Sequence, residues 1–399
     1  MSAWPIVALE DVFDVARGGS PRPIDSFITD DPDGVNWIMI GDATEGSKYI
    51  SSTKKRIIKE GVKKSRMVSA GDFLLTNSMS FGKPYILKTS GCIHDGWLVL
   101  SPRHDQIHSD FFYHLLGSDV VYSKFKKLAA GAVVKNLNSE LVRGVQIPLP
   151  PLAEQMRIAA ILDKADSIRR KLQQSLRLSD DFLRSVFLDM FGDPEGQGWE
   201  STTVEELASA KKGSIRTGPF GSQLLHSEFV DEGVAVLGID NAVRNKFAWG
   251  QPRFITEEKY EDLKRYTVHP GDVLITIMGT CGRCAIVPQD IPKAINTKHL
   301  CCITLNPKKC LPEFLHSYFL LHPMAKSYLG QSAKGAIMDG LNGGLIKSLP
   351  VPIVPIALQR EYAQLVKNRT KLVDRLTIQA AESEALFSSL QQRAFRGEL

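Results

Sequence analysis

Cysteine is scarce: six in 399 residues, with Cys92 the only one in the first half. A disulfide framework is therefore not the organising device. No run approaches the ~18 uninterrupted apolar residues of a membrane-spanning helix, so no membrane is expected as a partner. The start, Met1-Ser2-Ala3-Trp4-Pro5, has no basic segment followed by a long apolar one. No signal peptide is expected, and the cytosol is the expected compartment. Catalytic signatures are also missing. There is no phosphate loop, no dinucleotide fingerprint, no His-Glu-x-x-His and no Gly-x-Ser-x-Gly. Cys281-Gly282-Arg283-Cys284, with His299, Cys301 and Cys302, resembles a metal set only loosely. The matching first-half positions are Phe81 and Pro84, so buried apolar thiols are expected and no metal.

What is present is ordinary globular material, repeated. Apolar residues make up 43% and charged residues 23%, which excludes global disorder. Gly131-Ala132-Val133-Val134-Lys135-Asn136-Leu137-Asn138 returns 204 residues later as Gly335-Ala336-Ile337-Met338-Asp339-Gly340-Leu341-Asn342. Ile147 to Gln155 returns as Val351 to Gln359, and the register then holds without a gap to Phe191 and Phe395. Upstream the offset drifts: Trp4 aligns with Trp199, Gly18 with Gly213, Ala70–Thr76 with Pro270–Thr276 and Gly82 with Gly282. Each half reads as a mixed α/β module followed by a long element. Strands are expected at Trp37–Ile40, Asp72–Thr76, Trp97–Leu100, Val234–Leu237, Val273–Thr276 and Leu300–Ile303. Single helices are expected near Asp110–Leu128 and Pro312–Leu329.

Proline knots at 148–151 and 352–355 place helix starts just after Pro151 and Pro355. Apolar residues then recur at near 3.5 spacing, the pattern of a coiled-coil seam. The expected seam is Ile158, Ile161, Leu162, Ile168, Leu172, Leu176, Phe182 and Val186 in one helix. In the other it is Leu365, Val366, Leu372, Leu376, Leu386 and Leu390. Two helices matched in length and register are expected to pair with each other, each spanning about 50 Å.

Net charge is only +5, but Lys54, Lys55, Arg56, Lys59, Lys63, Lys64 and Arg66 crowd one segment against the lone Glu60. A solvated face or an anionic partner both fit that run. The matching second-half segment carries Glu257, Glu258, Glu261 and Asp262, so the patch is not shared.

Two variable modules, each closed by a Leu-Pro-Pro-Leu-Ala-Glu-Gln-like knot and a long helix, resemble the specificity subunit of type I restriction-modification systems. Gly18-Gly19-Ser20-Pro21 is similar to the opening of many target recognition domains in that family. Thr217-Gly218-Pro219-Phe220-Gly221-Ser222-Gln223-Leu224 is similar to the opening of another type, and Ala394–Leu399 to the family's usual tail. The resemblance covers essentially the whole chain. One departure is Leu358, standing where the first knot has Glu154.

The fold implied is α+β: two mixed α/β target recognition domains separated by two long antiparallel helices in a coiled coil, an internal repeat with pseudo-twofold cyclic symmetry. The domains would be residues 1–151 and 193–355, and the helices 152–192 and 356–399. The resemblance implies that each domain reads one half of a split site on double-stranded DNA. The helices would set the spacer and dock two modification (adenine methyltransferase) subunits. S-adenosylmethionine and ATP would belong to partners, including restriction (translocase/endonuclease) subunits. This chain would hold no cofactor and catalyse nothing.

Candidate DNA contacts are polar residues on glycine-rich loops, where backbone and duplex approach closely. In the first module these are Ser20, Arg22, Ser80, Lys83, His94, Lys135 and Asn136, joined by Lys54, Lys55 and Arg56 of the basic run. In the second they are Arg216, Thr217, Ser222, Gln223, Lys246, Thr280, Arg283, Lys298 and His299. Arg283 stands out because it follows Gly282 and aligns with Lys83. Gly71-Asp72 and Gly271-Asp272 are expected to be turns leading into strands. Two other readings stay open: a coiled-coil scaffold that binds proteins, and a self-contained DNA methyltransferase or nuclease.

Overall fold

A computed structural model describes residues 4–44, 46–77, 82–130, 137–334 and 341–399. Contacts divide the chain into two units, Met1–Ser175 with Leu376–Leu399, and Leu176–Arg375. The two long helices, Leu152–Phe191 and Ile356–Arg396, start directly after the proline knots and contribute to both units. They contain 40 and 41 residues, about 60 Å each at ~1.5 Å per residue, because neither Pro nor Gly interrupts them.

In the first unit, one five-stranded sheet runs Phe13–Arg17, Trp97–Pro102, Phe73–Thr76, Pro84–Leu87, Tyr49–Ile50. A second runs Ile28–Thr29, Lys55–Ile57, Val35–Ile38, Gly91–Ile93, Arg66–Val68. A small ribbon pairs Ile6–Ala8 with Gln146–Pro148. The second unit repeats the plan with fewer strands. Its larger sheet orders Ile215–Thr217, Leu300–Ile303, Val273–Thr276 and Cys284–Ile286, and its smaller one Phe254–Ile255, Val234–Leu237 and Ala294–Asn296. Its ribbon joins Ser201–Thr203 to Pro350–Pro352. One sheet in each unit joins counterpart strands in parallel, Val35–Ile38 with Gly91–Ile93 and Val234–Leu237 with Ala294–Asn296, so both units are mixed α+β.

Register fixes the repeat more firmly than the sequence did. Arg17 faces Leu98 as Thr217 faces Cys301, and Thr76 faces Trp97 as Thr276 faces Leu300. Gly18 is therefore the counterpart of Gly218, not of Gly213. The reason is steric: a methyl at Gly18 would lie 2.1 Å from the His94 carbonyl oxygen, and one at Gly218 2.0 Å from that of Asn296. Gly213 instead occupies a turn at φ +83°. The turns at Asp72 and Asp272 match too, each carboxylate accepting from the backbone three residues back, Ser69 at 2.8 Å and His269 at 2.9 Å.

Where one helix was expected in each module, there are two: Ser109–Leu116 and Asp119–Ala130, then Pro312–Leu321 and Pro323–Lys334. Gly117 caps the first break, and Pro323 forces His322 into extended backbone at the second. The Leu-Asn ends of the repeated motif are helix caps. The side chain of Asn138 accepts from the Leu141 amide, and that of Asn342 from the Leu345 amide.

Each unit packs its module and its helix segments into one core. In the first, Phe13, Phe73, Phe111, Phe112 and Phe125 share a cluster with Ile158, Leu162, Phe387, Ala394 and Phe395. Phe111 meets Phe395 edge to face at 5.8 Å. In the second, Phe187 and Phe191 pack with Phe314, Tyr318 and Tyr362, and the Phe187–Tyr362 ring separation is 5.4 Å. The pairing is antiparallel within each unit. Arg157 reaches the Leu399 carbonyl while Arg169 reaches Glu384 at 3.2 Å. In the other unit Arg369 pairs with Asp180 and Phe187 with Tyr362.

The apolar seam is shorter than its period suggested. Ile158 and Leu162 are buried; Ile161, Leu172, Leu176, Val186, Val366, Leu376 and Leu390 are half-buried. Ile168, Phe182, Leu365, Leu372 and Leu386 are exposed and do not belong to it. A straight helix drifts ~20° per heptad from a strict seven-residue repeat, so one stripe cannot stay inward over 40 residues. Where the stripe turns out, charge takes its place. Asp166 is buried against Arg169 at 2.7 Å and Arg170 at 2.9 Å, and the Arg169 guanidinium lies 5.0 Å over the Phe387 ring.

Candidate nucleic-acid interface

Strand ends bring the glycine-rich loops of each unit to one edge. In the first unit, Phe13–Arg17 ends into Gly18 and Gly19, and Phe73–Thr76 ends into Asn77, whose amide donates to the Asp95 carbonyl at 2.7 Å. Ser20 Oγ donates to Asp95 Oδ1 at 2.7 Å, and Arg22, 80% exposed, lies 3.5 Å from the same carboxylate. Ser20's hydroxyl outweighs burial and holds the Asp95 carboxyl below its usual range. The Gly96 N–H donates to His94 Nδ1 at 2.8 Å, and the Ile40 amide nitrogen lies 3.1 Å from Nε2. Burial lowers the His94 pKa, so its imidazole is neutral near pH 7. Ser20, Arg22, Trp37, Ile40, Lys55 and His94 line a cavity of about 670 Å³.

Four of the expected contacts thus gather around one cleft: Ser20, Arg22, Lys55 and His94. Lys54 is exposed beside it, its own amide donating to Asp42. Arg56 points to the other sheet face, its Nη1 3.5 Å from the Asp31 carbonyl oxygen. Two basic residues beyond the expected contacts flank the glycines: Arg17, whose Nε donates to the Asp95 carbonyl, and Arg66 of the basic run, whose Nε donates to the Arg17 carbonyl. Ser80, Lys135 and Asn136 lie outside the described residues.

The second unit repeats one turn nearly atom for atom. Gly82 N–H donates to the Thr76 carbonyl at 2.7 Å and Lys83 N–H to Thr76 Oγ1 at 3.1 Å; Gly282 and Arg283 do the same to Thr276 at 2.9 Å each. Gly82 and Gly282 sit at φ +79° and +77°, where a side chain would be strained. Lys83 and Arg283 are consequently presented alike, both exposed. Thr280 is exposed in the same loop, and Ser222 is exposed after Gly221. Thr217, Lys298 and His299 are half-buried at the edge. Burial lowers the His299 pKa, and the nearby positive charges of Lys298 and Arg253 add to it.

Three expected contacts are placed elsewhere. Arg216 lies in a strand, not a loop, and its nearly buried guanidinium is held by Asp272 at 2.6 Å, Thr304 Oγ1 at 3.0 Å and the Thr267 carbonyl. Gln223 Oε1 accepts from the Phe220 amide and from the Tyr266 hydroxyl, which ties the loop down. Lys246 leaves the edge and pairs with Asp374 on the C-terminal helix at 3.4 Å. The cysteines pack as small apolar groups: Cys284, Cys301 and Cys310 lie in the main core of this unit, and burial pushes Cys301 up to about 12.

Behind the edges, the knots lock modules to helices. Gln155 is buried; its amide donates to the carbonyls of Pro150 and Gln106 and its oxygen accepts from His108 N–H. Gln359 makes the same three bonds with Val354, Lys309 and Leu311. Glu154 pairs with Arg157 on its own helix, whereas Leu358 packs on the core, so that departure replaces a surface ion pair by apolar contact. In the first unit Lys48, almost fully buried, bridges Asp110 at 2.5 Å and Asp163 at 2.9 Å, and His114 Nε2 lies 2.7 Å from Asp163. Burial pulls the Asp163 pKa up, but the hydrogen bonds from His114 and Lys48 outweigh it and leave the carboxyl at about 2.

The residues expelled from the seam form a second repeated feature. Ile168 and Leu386 are 50% and 58% exposed in the first unit; their sequence equivalents Leu372 and Phe182 are 53% and 56% exposed in the second. Large apolar side chains are thus displayed at matching positions of the two units, outside either core.

Comparison with known proteins points to one family. The family described as type I restriction modification DNA specificity domain matches residues 1–178 and 197–381. The type I restriction enzyme EcoBI specificity subunit of Escherichia coli is 25% identical, over all of this chain and 86% of its own length. The EcoKI specificity subunit of E. coli strain K12 is 23% identical, over 89% of this chain and 80% of its own. Among solved structures, a chain from a type I restriction-modification system, reported for complex assembly and conformational transition, superposes with a TM-score of 0.59. It is 17% identical and covers 99% of this chain and 98% of its own. The S subunit of the M. genitalium system superposes with a TM-score of 0.58 at 16% identity, covering 99% and 96%. At that identity the superpositions speak to the fold.

Proposed function

The chain belongs to the type I restriction-modification DNA specificity family, as a specificity subunit rather than a catalytic one, and on that premise we propose how it works. Residues 1–151 and 193–355 are two target recognition domains, each reading one half of a bipartite double-stranded DNA site. The helices, 152–192 and 356–399, set the unread spacer and dock two modification (methyltransferase) subunits. Restriction subunits join the full complex, which works in the cytosol. S-adenosylmethionine and ATP are bound by those partners.

One observation carries the DNA reading: the Thr76-Gly82-Lys83 turn recurs as Thr276-Gly282-Arg283, presenting one cation from each module on a close-approach loop. Such cations serve two roles, register on phosphates and readout of base edges. The basic rim of the first cleft (Arg17, Arg22, Lys55, Arg66) supports phosphate contact there. The recurrence of an exposed apolar pair in each unit supports two copies of one partner. An uninterrupted helix of 40 residues supports a fixed spacer, since about 60 Å of helix bends little.

The test is binding of the full chain, with its methyltransferase, to duplex DNA over a salt series. Affinity is expected to fall steeply, about one power of salt for each phosphate neutralised. An affinity flat in salt would favour the protein-binding scaffold. Replacing residues 1–151 with another module should change one half of the methylated site and leave the other half and the spacer length intact. A change in both halves would rule out separable reading.

A further inference from the structure

The smaller sheet of the second unit holds an arginine built into the reading edge in a way that no motif announced. Val35 faces Ile57 in the first unit and Val234 faces Ile255 in the second, so Arg253 is the counterpart of Lys55, which lines the first unit's cleft. The first unit has Met39 at the end of the neighbouring strand; the second has Gly238. A methyl at Gly238 would lie 2.6 Å from Arg253 Nη2, and one at Gly250 only 1.9 Å from Asp240 Oδ2. Two glycines thus leave the space that an Arg253–Asp240 pair fills. Asp240 Oδ1 accepts from Arg253 Nη2, and Asp240 Oδ2 accepts from the Gln251 amide at 2.9 Å, so the carboxylate is itself fixed. Nε is buried with no hydrogen-bond partner among the described residues, whereas the side chain as a whole is partly exposed, so a ligand would meet the terminal Nη groups. Lys298 and His299 stand close enough for charge interaction with the site.

We propose that Arg253, aimed by Asp240, reads a guanine edge in the half-site bound by the second unit; this rests on the DNA-reading function above. A carboxylate beside the cation repels phosphate, which argues against a backbone clamp. It also fixes the plane of the guanidinium, and a planar fork of donors matches the adjacent O6 and N7 acceptors of guanine in the major groove. Arg253 is thereby the specificity-determining residue and Asp240 its positioning residue. Arg216, by contrast, has every arm of its fork engaged inside the sheet except Nε.

The experiment is selection of the full-length chain, in complex with its methyltransferase, against a randomised duplex library. Wild type is expected to enrich a bipartite motif. Arg253→Gln is expected to lose, at one G·C position of one half only, a preference of roughly 10- to 100-fold. Asp240→Asn, which keeps the guanidinium but frees it, is expected to weaken the same preference and to bind unrelated DNA more tightly with a steeper salt slope. If Arg253→Gln folds and keeps the wild-type motif, or loses affinity for every duplex alike, the inference is overturned. Should Arg253→Gln fail to fold, an unchanged motif with Asp240→Asn overturns it equally. A wild-type chain that enriches no bipartite motif would remove the DNA-reading function itself, and this inference with it.

Discussion

Gln155 and Gln359 tie the long helices to the modules before them. Each is a buried amide with its three bonds supplied by the segments that precede the helix. Gln155→Leu would strand the Pro150 carbonyl in the interior, at ~1–3 kcal/mol, and remove the bonds to Gln106 and His108 at its margin. Denaturant unfolding of that variant should show a lower midpoint for the first unit, and Gln359→Leu the same for the second. A second residue-scale prediction concerns acid. Asp163 has its pKa depressed from 3.8 to about 2 in the folded state, so its stabilising contribution is complete above pH 4. That contribution is lost as pH falls through the interval between those values, because only the folded state resists protonation. Asp163→Asn should therefore flatten the pH dependence of stability between pH 4 and 2 while lowering stability at pH 7, as followed by thermal melts across that range.

At the scale of elements, the long helices were legible in sequence and their faces only partly so. Proline knots and the absence of Pro and Gly gave both starts without reference to anything distant, but the expected span of about 50 Å fell short of the 40 and 41 residues found, about 60 Å each. Burial of the stripe depended on helix drift and on what lies opposite, which local periodicity does not contain. Hence Ile168, Phe182, Leu365, Leu372 and Leu386 were assigned inward and are exposed. The same limit hid two ion pairs. Arg216 with Asp272 and Arg253 with Asp240 join residues 56 and 13 apart, at no helical or strand spacing. The glycine turns were readable for the opposite reason: Gly82 and Gly282 need positive φ whatever surrounds them. The exposed pairs lead to a test. Ile168→Asp with Leu386→Asp should leave the melting temperature near wild type, since neither side chain is buried. Purified complexes should then retain one methyltransferase in place of two; retention of both would detach these residues from partner docking.

Across the whole molecule, the repeat is one of architecture with divergent furnishing. The turn at Thr76 and Thr276, the knot glutamines and the Asn caps recur, whereas among the described residues the Lys48 cluster, the basic rim and the Arg253 site each occur in a single unit. The recurring glutamines and caps fix backbone, the recurring turn and exposed apolar pairs are what our reading gives to DNA and to partners, and the parts found once give each unit its own surface and packing. That division is what a protein needs if its halves must hold the same shape and recognise different things.

The two units also differ in how the ribosome delivers them. Leu176–Arg375 is one continuous stretch, so its core can close while the remaining residues are still being made. Met1–Ser175 must wait for Leu376–Leu399, because Phe387, Ala394 and Phe395 complete its core. The half synthesised first is thus the half that finishes last, and during that delay its unfinished apolar surface is the nascent chain's point of exposure to chaperones and to aggregation.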